Sequence, residues 1–228
     1  MNTENRLHDI IKTKESKICL AADVSTLDEL YKIIDEVGEY ICILKIHYDI
    51  ISDFNENIES TINKLNSYKK RFNFLIWEDR KFADIGMVMC RQITNHIIKW
   101  ADIISVHPIA GIESLRAIPD DIAVILIAEL SSTNNLIREP YTLSVIEMCE
   151  TLNNCIGIVC QRKLNTKKFI FTPGISLSSN SDNMGQKYSK ISEKAFADVF
   201  VVGRGILSFD DKKSKISEYI RETNLVLS

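Results

Sequence analysis

Eight short, β-rich apolar runs punctuate the chain: Ile18-Cys19-Leu20-Ala21-Ala22, Ile41-Cys42-Ile43-Leu44, Phe72-Asn73-Phe74-Leu75-Ile76-Trp77, Ile103-Ile104-Ser105-Val106, Ala123-Val124-Ile125-Leu126-Ile127-Ala128, Ile156-Gly157-Ile158-Val159-Cys160, Phe169-Ile170-Phe171-Thr172 and Val199-Phe200-Val201-Val202. Near-continuous apolar runs suit strands covered on both faces, the pattern of a parallel sheet. Most gaps between them carry a helical period. Asp28 to Val37 places Leu30, Ile33, Ile34 and Val37 on one face, with Ser25 or Thr26 as N-cap. Residues 58–68, 85–100, 141–152, 191–196 and 214–220 read as helices too, and another, over about 4–13, precedes the first strand. The stretch 163–167 is too short for a long helix. Strands alternating with helices are βαβ units. Eight of them predict an α/β chain folded as one (β/α)8 barrel domain over residues 1–228, close to the usual size of about 250 residues. The rival, a doubly wound open sheet, usually carries a Gly-rich turn after its first strand. Here that place holds Ala22-Asp23-Val24-Ser25.

Composition narrows the class. The 228 residues are 45% hydrophobic, too apolar for a disordered chain and long enough to bury a core without staples. A net charge of -3 argues against a nucleic-acid binder. No apolar run approaches the roughly 20 residues of a membrane span. The opening Met1-Asn2-Thr3-Glu4-Asn5-Arg6 is too polar for a secretory leader, so a cytoplasmic location is expected. The cysteines at 19, 42, 90, 149, 155 and 160 form no CxxC pair, and His8, His47, His96 and His107 lie at no metal-ligand spacing from them. They read as small core hydrophobes in a reducing compartment, with no disulfide and no metal expected.

Barrels of this type place their chemistry at the C-terminal ends of the strands. Read in order, those ends carry Asp23; Lys45-Ile46-His47; Glu78-Asp79-Arg80-Lys81 with Asp84 beyond; His107; Glu129-Leu130-Ser131; Thr172-Pro173-Gly174; and Gly203-Arg204-Gly205. Alternation along a strand turns Asp79 and Lys81 the same way. Lys45 and Asp23 on neighbouring strands extend them into an Asp/Lys array. Arg204 between two glycines suits a phosphate after strand 8, and the polar, serine-rich loop 176–187 suits a mobile lid.

Glu78-Asp79-Arg80-Lys81-Phe82-Ala83-Asp84-Ile85-Gly86 closely resembles the signature of the eukaryotic-type orotidine 5′-phosphate decarboxylase family. The resemblance extends through 19–24, 44–50, 128–132, 172–174, 185–188 and 202–205, covering essentially the whole chain. It implies a homodimeric barrel that converts orotidine 5′-phosphate to UMP and CO2, the last step of pyrimidine nucleotide synthesis, with no cofactor and no metal. It implies that Lys81 donates the proton to C6, Asp79 faces the scissile carboxylate, and Lys45 holds Asp79 and reaches the ribose. Asp84 would enter the partner's site. Asp23 would bind a ribose hydroxyl, Ser131 the pyrimidine, and Gln186, Tyr188 and Arg204 the phosphate. His47, Ile85, Pro173 and Gly203 complete the implied substrate-binding set.

The chain departs from the family at several places. Ala21 stands where Ser is frequent, Val88 where Thr reaches the partner's ribose, Trp77 for Phe, and Pro108 after His107. The first apolar run begins at Ile18, so no fused orotate phosphoribosyltransferase is expected. Two alternatives remain open at this point. One is a metal-dependent sugar-phosphate decarboxylase or epimerase of the same barrel type, with Glu129 or Asp102 serving the metal. The other is an inactive UMP-binding relative.

Overall fold

The computed structural model describes residues 2–177 and 185–227. Eight parallel strands close into a barrel in sequence order, β1 pairing with both β2 and β8. They are β1 (Ile18–Ala21), β2 (Ile43–Ile46), β3 (Leu75–Phe82), β4 (Ile103–Val106), β5 (Ala123–Ile127), β6 (Cys155–Val159), β7 (Phe169–Pro173) and β8 (Val199–Val202). Around them lie α1 (Thr3–Lys14), α2 (Leu27–Val37), α3 (Ile58–Phe72), α4 (Gly86–Asn95), α5 (Ile112–Arg116), α6 (Glu139–Thr151), α7 (Arg204–Leu207) and α8 (Lys212–Leu227). Thr26 caps α2 by accepting from the Glu29 amide at 3.3 Å. No helix among the described residues is long and apolar enough to cross a membrane.

Apart from the last residues of β3 and β7, the strands are buried on both faces, which is why they read as apolar runs. One set of side chains, Leu20, Leu44, Ile76, Ile104 and Leu126 among them, packs outward against Leu30, Ile34, Leu65 and Ile93 of the helices. The alternate set, including Ala21, Ile43, Trp77, Ile125, Phe171 and Val201, fills the barrel interior. Leu7 and Ile10 of α1 belong to that interior cluster and are fully buried, so α1 closes the N-terminal end. Lys14 fixes the helix there, donating to the carbonyls of Gly38 at 3.1 Å and Ile41 at 2.8 Å; burial lowers its pKa to about 8.

The structure amends several expected elements. The helix read over 85–100 stops at Asn95 and resumes as a 3-10 turn over Ile97–Lys99. His96 leaves the helical region there, and its Nδ1 accepts from Trp100 Nε1 at 3.3 Å. The stretch 191–196 is a 3-10 turn, Ile191–Lys194. β3 starts at Leu75, because α3 runs on through Phe72, and continues through the charged run to Phe82. Among the cysteines, Cys90 is half-buried and the other five are buried and free. Of the loop read as a lid, residues 178–184 lie outside the described residues.

Candidate active site

The C-terminal ends of the strands surround a cavity of about 230 Å³. Asp79 lines it and is 5% exposed. Its Oδ2 lies 2.8 Å from Lys81 Nζ and 3.0 Å from Lys45 Nζ, and its Oδ1 accepts from Ser105 Oγ at 2.7 Å. Lys45 also reaches Asp23 Oδ1 at 3.4 Å. Burial works against the charge on Asp79, but Lys45, Lys81 and His47 outweigh it and hold the carboxyl well below its usual range. Burial likewise works against the Lys45 ammonium, but attraction to Asp79 and Asp23 outweighs it and raises the pKa. Both groups are therefore ionised at neutral pH. His47 Nε2 sits 3.0 Å from Lys45 Nζ, and burial, with Lys45, lowers its pKa. As a neutral ring it accepts from the ammonium.

Lys81 reaches Asp79 by a bend in the strand. Its φ is 59°, a left-handed conformation uncommon outside glycine. The β3–β4 register shifts between Glu78 and Phe82, and the Lys81 amide donates to Ser105 Oγ at 3.1 Å. Simple alternation predicts the meeting of Asp79 and Lys81, though the means is a bulge. Such local strain is stored where function requires a fixed side chain.

The opposite wall is built by Arg204, Gln186 and Tyr188. Arg204 donates to Gln186 Oε1 at 3.1 Å and lies over the Tyr188 ring, 5.3 Å from its centroid. The loops after β5 and β7 are clasped: the Thr133 amide donates to the Gly185 carbonyl at 3.0 Å, and Ser132 bridges Gln186. Gly174 permits this approach, with φ +77° and a Cβ position only 2.7 Å from the Lys187 carbonyl. Gly205, the second glycine beside Arg204, packs on α8: a Cβ there would lie 2.1 Å from Tyr219 Oη.

Of the residues singled out in the sequence, Asp23, Lys45, His47, Asp79, Lys81, Ser131, Pro173, Gln186, Tyr188, Gly203 and Arg204 line this cavity. Asp84 and Ile85 do not; both are exposed just beyond β3. Val88 is half-buried on α4, also away from it. Sequence reasoning misses Ser105, although it is the lone polar residue in Ile103-Ile104-Ser105-Val106 and sits at an inward register. The two carboxylates reserved for a metal are engaged elsewhere. Asp102 takes Arg6 at 3.3 Å, Lys69 at 3.2 Å and the Ile76 amide at 2.8 Å. Glu129 takes the Gln161 amide and Arg162 Nε, each at 2.7 Å.

His47, Asp49 and Glu78 bring ligand atoms within 4.8 Å of one another. Lys45, 3.0 Å from His47, and Arg80, 3.9 Å from Asp49, already set two cations against the group, so a metal ion would meet repulsion. Glu78 is fully buried; its Oε2 accepts from the Tyr48 amide at 3.1 Å, and its Oε1 has no partner among the described residues. Burial pushes its pKa up to about 8. With the folded value raised above the unfolded one, its contribution to stability is complete below about pH 4.5 and is lost as pH rises through about 8. Glu78→Gln is therefore expected to melt higher than the parent at pH 8.5, with the gap closing toward pH 5. The expected gap is about 5 °C or more, since each kcal/mol moves a chain of this size by roughly 2–4 °C. Parallel melting curves at the two pH values check this, and a gap that widens toward pH 5 would refute it.

Residues 16–219 match the family described as orotidine 5′-phosphate decarboxylase / HUMPS. The chain is 37% identical over 225 residues to an orotidine 5′-phosphate decarboxylase of Aureobasidium pullulans, spanning 92% of this chain and 82% of that one. It is 36% identical to the Cyberlindnera jadinii protein of the same name, spanning 88% and 82%. It is 36% identical to a Bos taurus uridine 5′-monophosphate synthase, spanning 89% of this chain and 45% of the longer protein. In fold it resembles the crystal structure of orotidine 5′-monophosphate decarboxylase from Methanocaldococcus jannaschii with the inhibitor BMP, at a TM-score of 0.72 and 24% identity, spanning 92% and 99%. A closed barrel whose mouth holds the Asp/Lys array, together with a family match running from before β1 into α8, leads to one assignment: the chain belongs to the orotidine 5′-phosphate decarboxylase / HUMPS family.

Proposed function

We propose that Lys81 and Asp79 carry out the decarboxylation of orotidine 5′-phosphate to UMP and CO2, the reaction this chain catalyses in pyrimidine biosynthesis. The observation that carries these roles is the shared Asp79 oxygen, with Lys81 at 2.8 Å and Lys45 at 3.0 Å. Loss of CO2 from C6 leaves a carbanion with no neighbouring electron sink. A fixed cation where that charge develops is what a protein can supply, and Lys81 provides it together with the proton that ends the reaction. Asp79, held ionised, sets a like charge beside the substrate carboxylate, and departure of neutral CO2 relieves it. Lys45 holds Asp79 in place and, with Asp23, takes the ribose hydroxyls; Ser131 takes the pyrimidine. Arg204, Gln186 and Tyr188 take the phosphate, so binding energy far from C6 organises the site.

The working unit we infer is a homodimer in which Asp84 serves the partner's site. Two features support it: Asp84 and Ile85 stand outside their own cavity, and the neighbouring Ile85, Met87 and Ile109 are 57%, 59% and 73% exposed. Apolar side chains left this open beside a site mark an interface.

The function is tested by the loss of orotidine 5′-phosphate absorbance with purified protein in excess EDTA. Steady turnover is expected. No turnover by folded protein would overturn the reading, and turnover only on restoring Mg²⁺ would favour the sugar-phosphate alternative. In the same assay Arg204→Ala is expected to raise KM for the nucleotide roughly 10- to 100-fold, the worth of a charge-assisted bidentate contact. The slow reaction of phosphate-free orotidine should be unchanged. Equal losses on both substrates would remove Arg204 from the phosphate.

A further inference from the structure

We propose that the indole N–H of Trp77 donates a hydrogen bond to the carboxylate on C6 of the substrate, so that Trp77 selects the C6-substituted nucleotide over UMP. The inference rests on the active-site reading above. Trp77 lies two residues before Asp79 on β3, in register with Lys45 of β2. Its side chain belongs to the barrel interior and borders the cavity. It is 2% exposed, and its ring meets Phe171 edge-on with centroids 5.6 Å apart. Its Nε1 is buried with no hydrogen-bond partner among the described residues. The other tryptophan differs: Trp100 Nε1 donates to His96 at 3.3 Å. A buried donor left unpaired bears its full desolvation cost, so native structures rarely keep one without a use.

The surroundings identify what it meets. Asp79, which borders the cavity with Trp77, is engaged with Lys45, Lys81 and Ser105. Ala21, Val159 and Val201, which border the cavity with Trp77, carry no polar side-chain atom. A C6 carboxylate set beside Lys81 and repelled by Asp79 turns toward this apolar floor, and in the proposed arrangement the Trp77 ring presents its unpaired N–H to it there. When the C6–carboxyl bond breaks, its electron pair stays on C6 and takes a proton from Lys81, and the carboxylate leaves as neutral CO2. A neutral oxygen accepts more weakly than a carboxylate. The bond therefore holds the substrate more firmly than the transition state.

Two readouts test this. The chain has two tryptophans, so ¹H–¹⁵N spectra give two indole signals, and Trp77→Phe identifies one by its loss. Should that variant not fold, Trp100→Phe identifies the other. On the unsubstituted protein, UMP carrying a carboxamide at C6, a stable acceptor in the carboxylate's place, is expected to move the Trp77 signal downfield. UMP itself is expected to leave it in place. Trp77→Phe is expected to raise KM for orotidine 5′-phosphate about tenfold with kcat no lower, and to bind UMP as before. Equal movement with both ligands, or none while calorimetry shows both bound, overturns the inference, as does a fall in kcat at unchanged KM. If neither ligand binds at all, the active-site reading fails and takes this inference with it.

Discussion

Lys81→Ala is expected to fold as the parent does and to turn over orotidine 5′-phosphate more than about 10³-fold more slowly. Loss of one electrostatic stabiliser already costs about 10²–10³, and under the proposed roles the proton donor goes with it. Folding should survive because the unusual φ of 59° at this position is borne by the backbone, and alanine carries the same Cβ as lysine. The side chain itself is half-buried, and Asp79 keeps Lys45 and Ser105 as partners. A thermal melt and the absorbance assay on the same sample separate the two effects. A folded variant with near-parental rate would remove Lys81 from the chemistry.

The second large effect concerns assembly. Asp84→Ala should be nearly as inactive as Lys81→Ala, yet mixing the two chains should restore activity. If Asp84 serves the partner's site, a mixed dimer concentrates both lesions in one site and leaves the other whole. Equal chains combining freely give mixed dimers about half the time, so about one quarter of all sites are intact. The same measurement on the separate parents supplies the baseline. If native mass spectrometry shows mixed dimers and activity stays at that baseline, Asp84 acts in its own chain or has no part in the reaction.

Much of the barrel and its site is legible in the amino-acid sequence, for reasons particular residues make plain. Parallel strands buried on both faces must be apolar throughout, so runs such as Ile103–Val106 and Val199–Val202 announce themselves. The charged groups at their ends follow from the rule that barrels act at that end, and nine of the candidate site residues so chosen line one cavity together with Gln186 and Tyr188, which the family resemblance added. What escapes is short or bent. α5 and α7 span five and four residues, too few to display a period of 3.6. β3 hides its length because the site occupies its last turns, where Asp79 and Lys81 replace the apolar pattern and the backbone at Lys81 breaks the alternation. Ser105 escapes because a single serine in an apolar run carries no chemistry until its neighbour across the sheet is known to be Asp79. Trp77 stands out in the sequence as a departure from the family, but only the fold shows that its N–H is left without a partner among the described residues. The close packing of Gly205 under Tyr219 likewise shows only in the fold.

The seating of Leu7 and Ile10 in the barrel interior has a consequence for traffic. It makes the reaction chamber a cul-de-sac. Among the described residues, substrate and both products then share the mouth rimmed by the clasped loops after β5 and β7. A gas molecule released at the floor meets Leu7 and Ile10 behind it, with no rear vent among the described residues. While CO2 lingers beside C6, it and the carbanion are free to recombine. Under the role proposed for Lys81, the forward reaction is then secured by how quickly its proton arrives relative to that return.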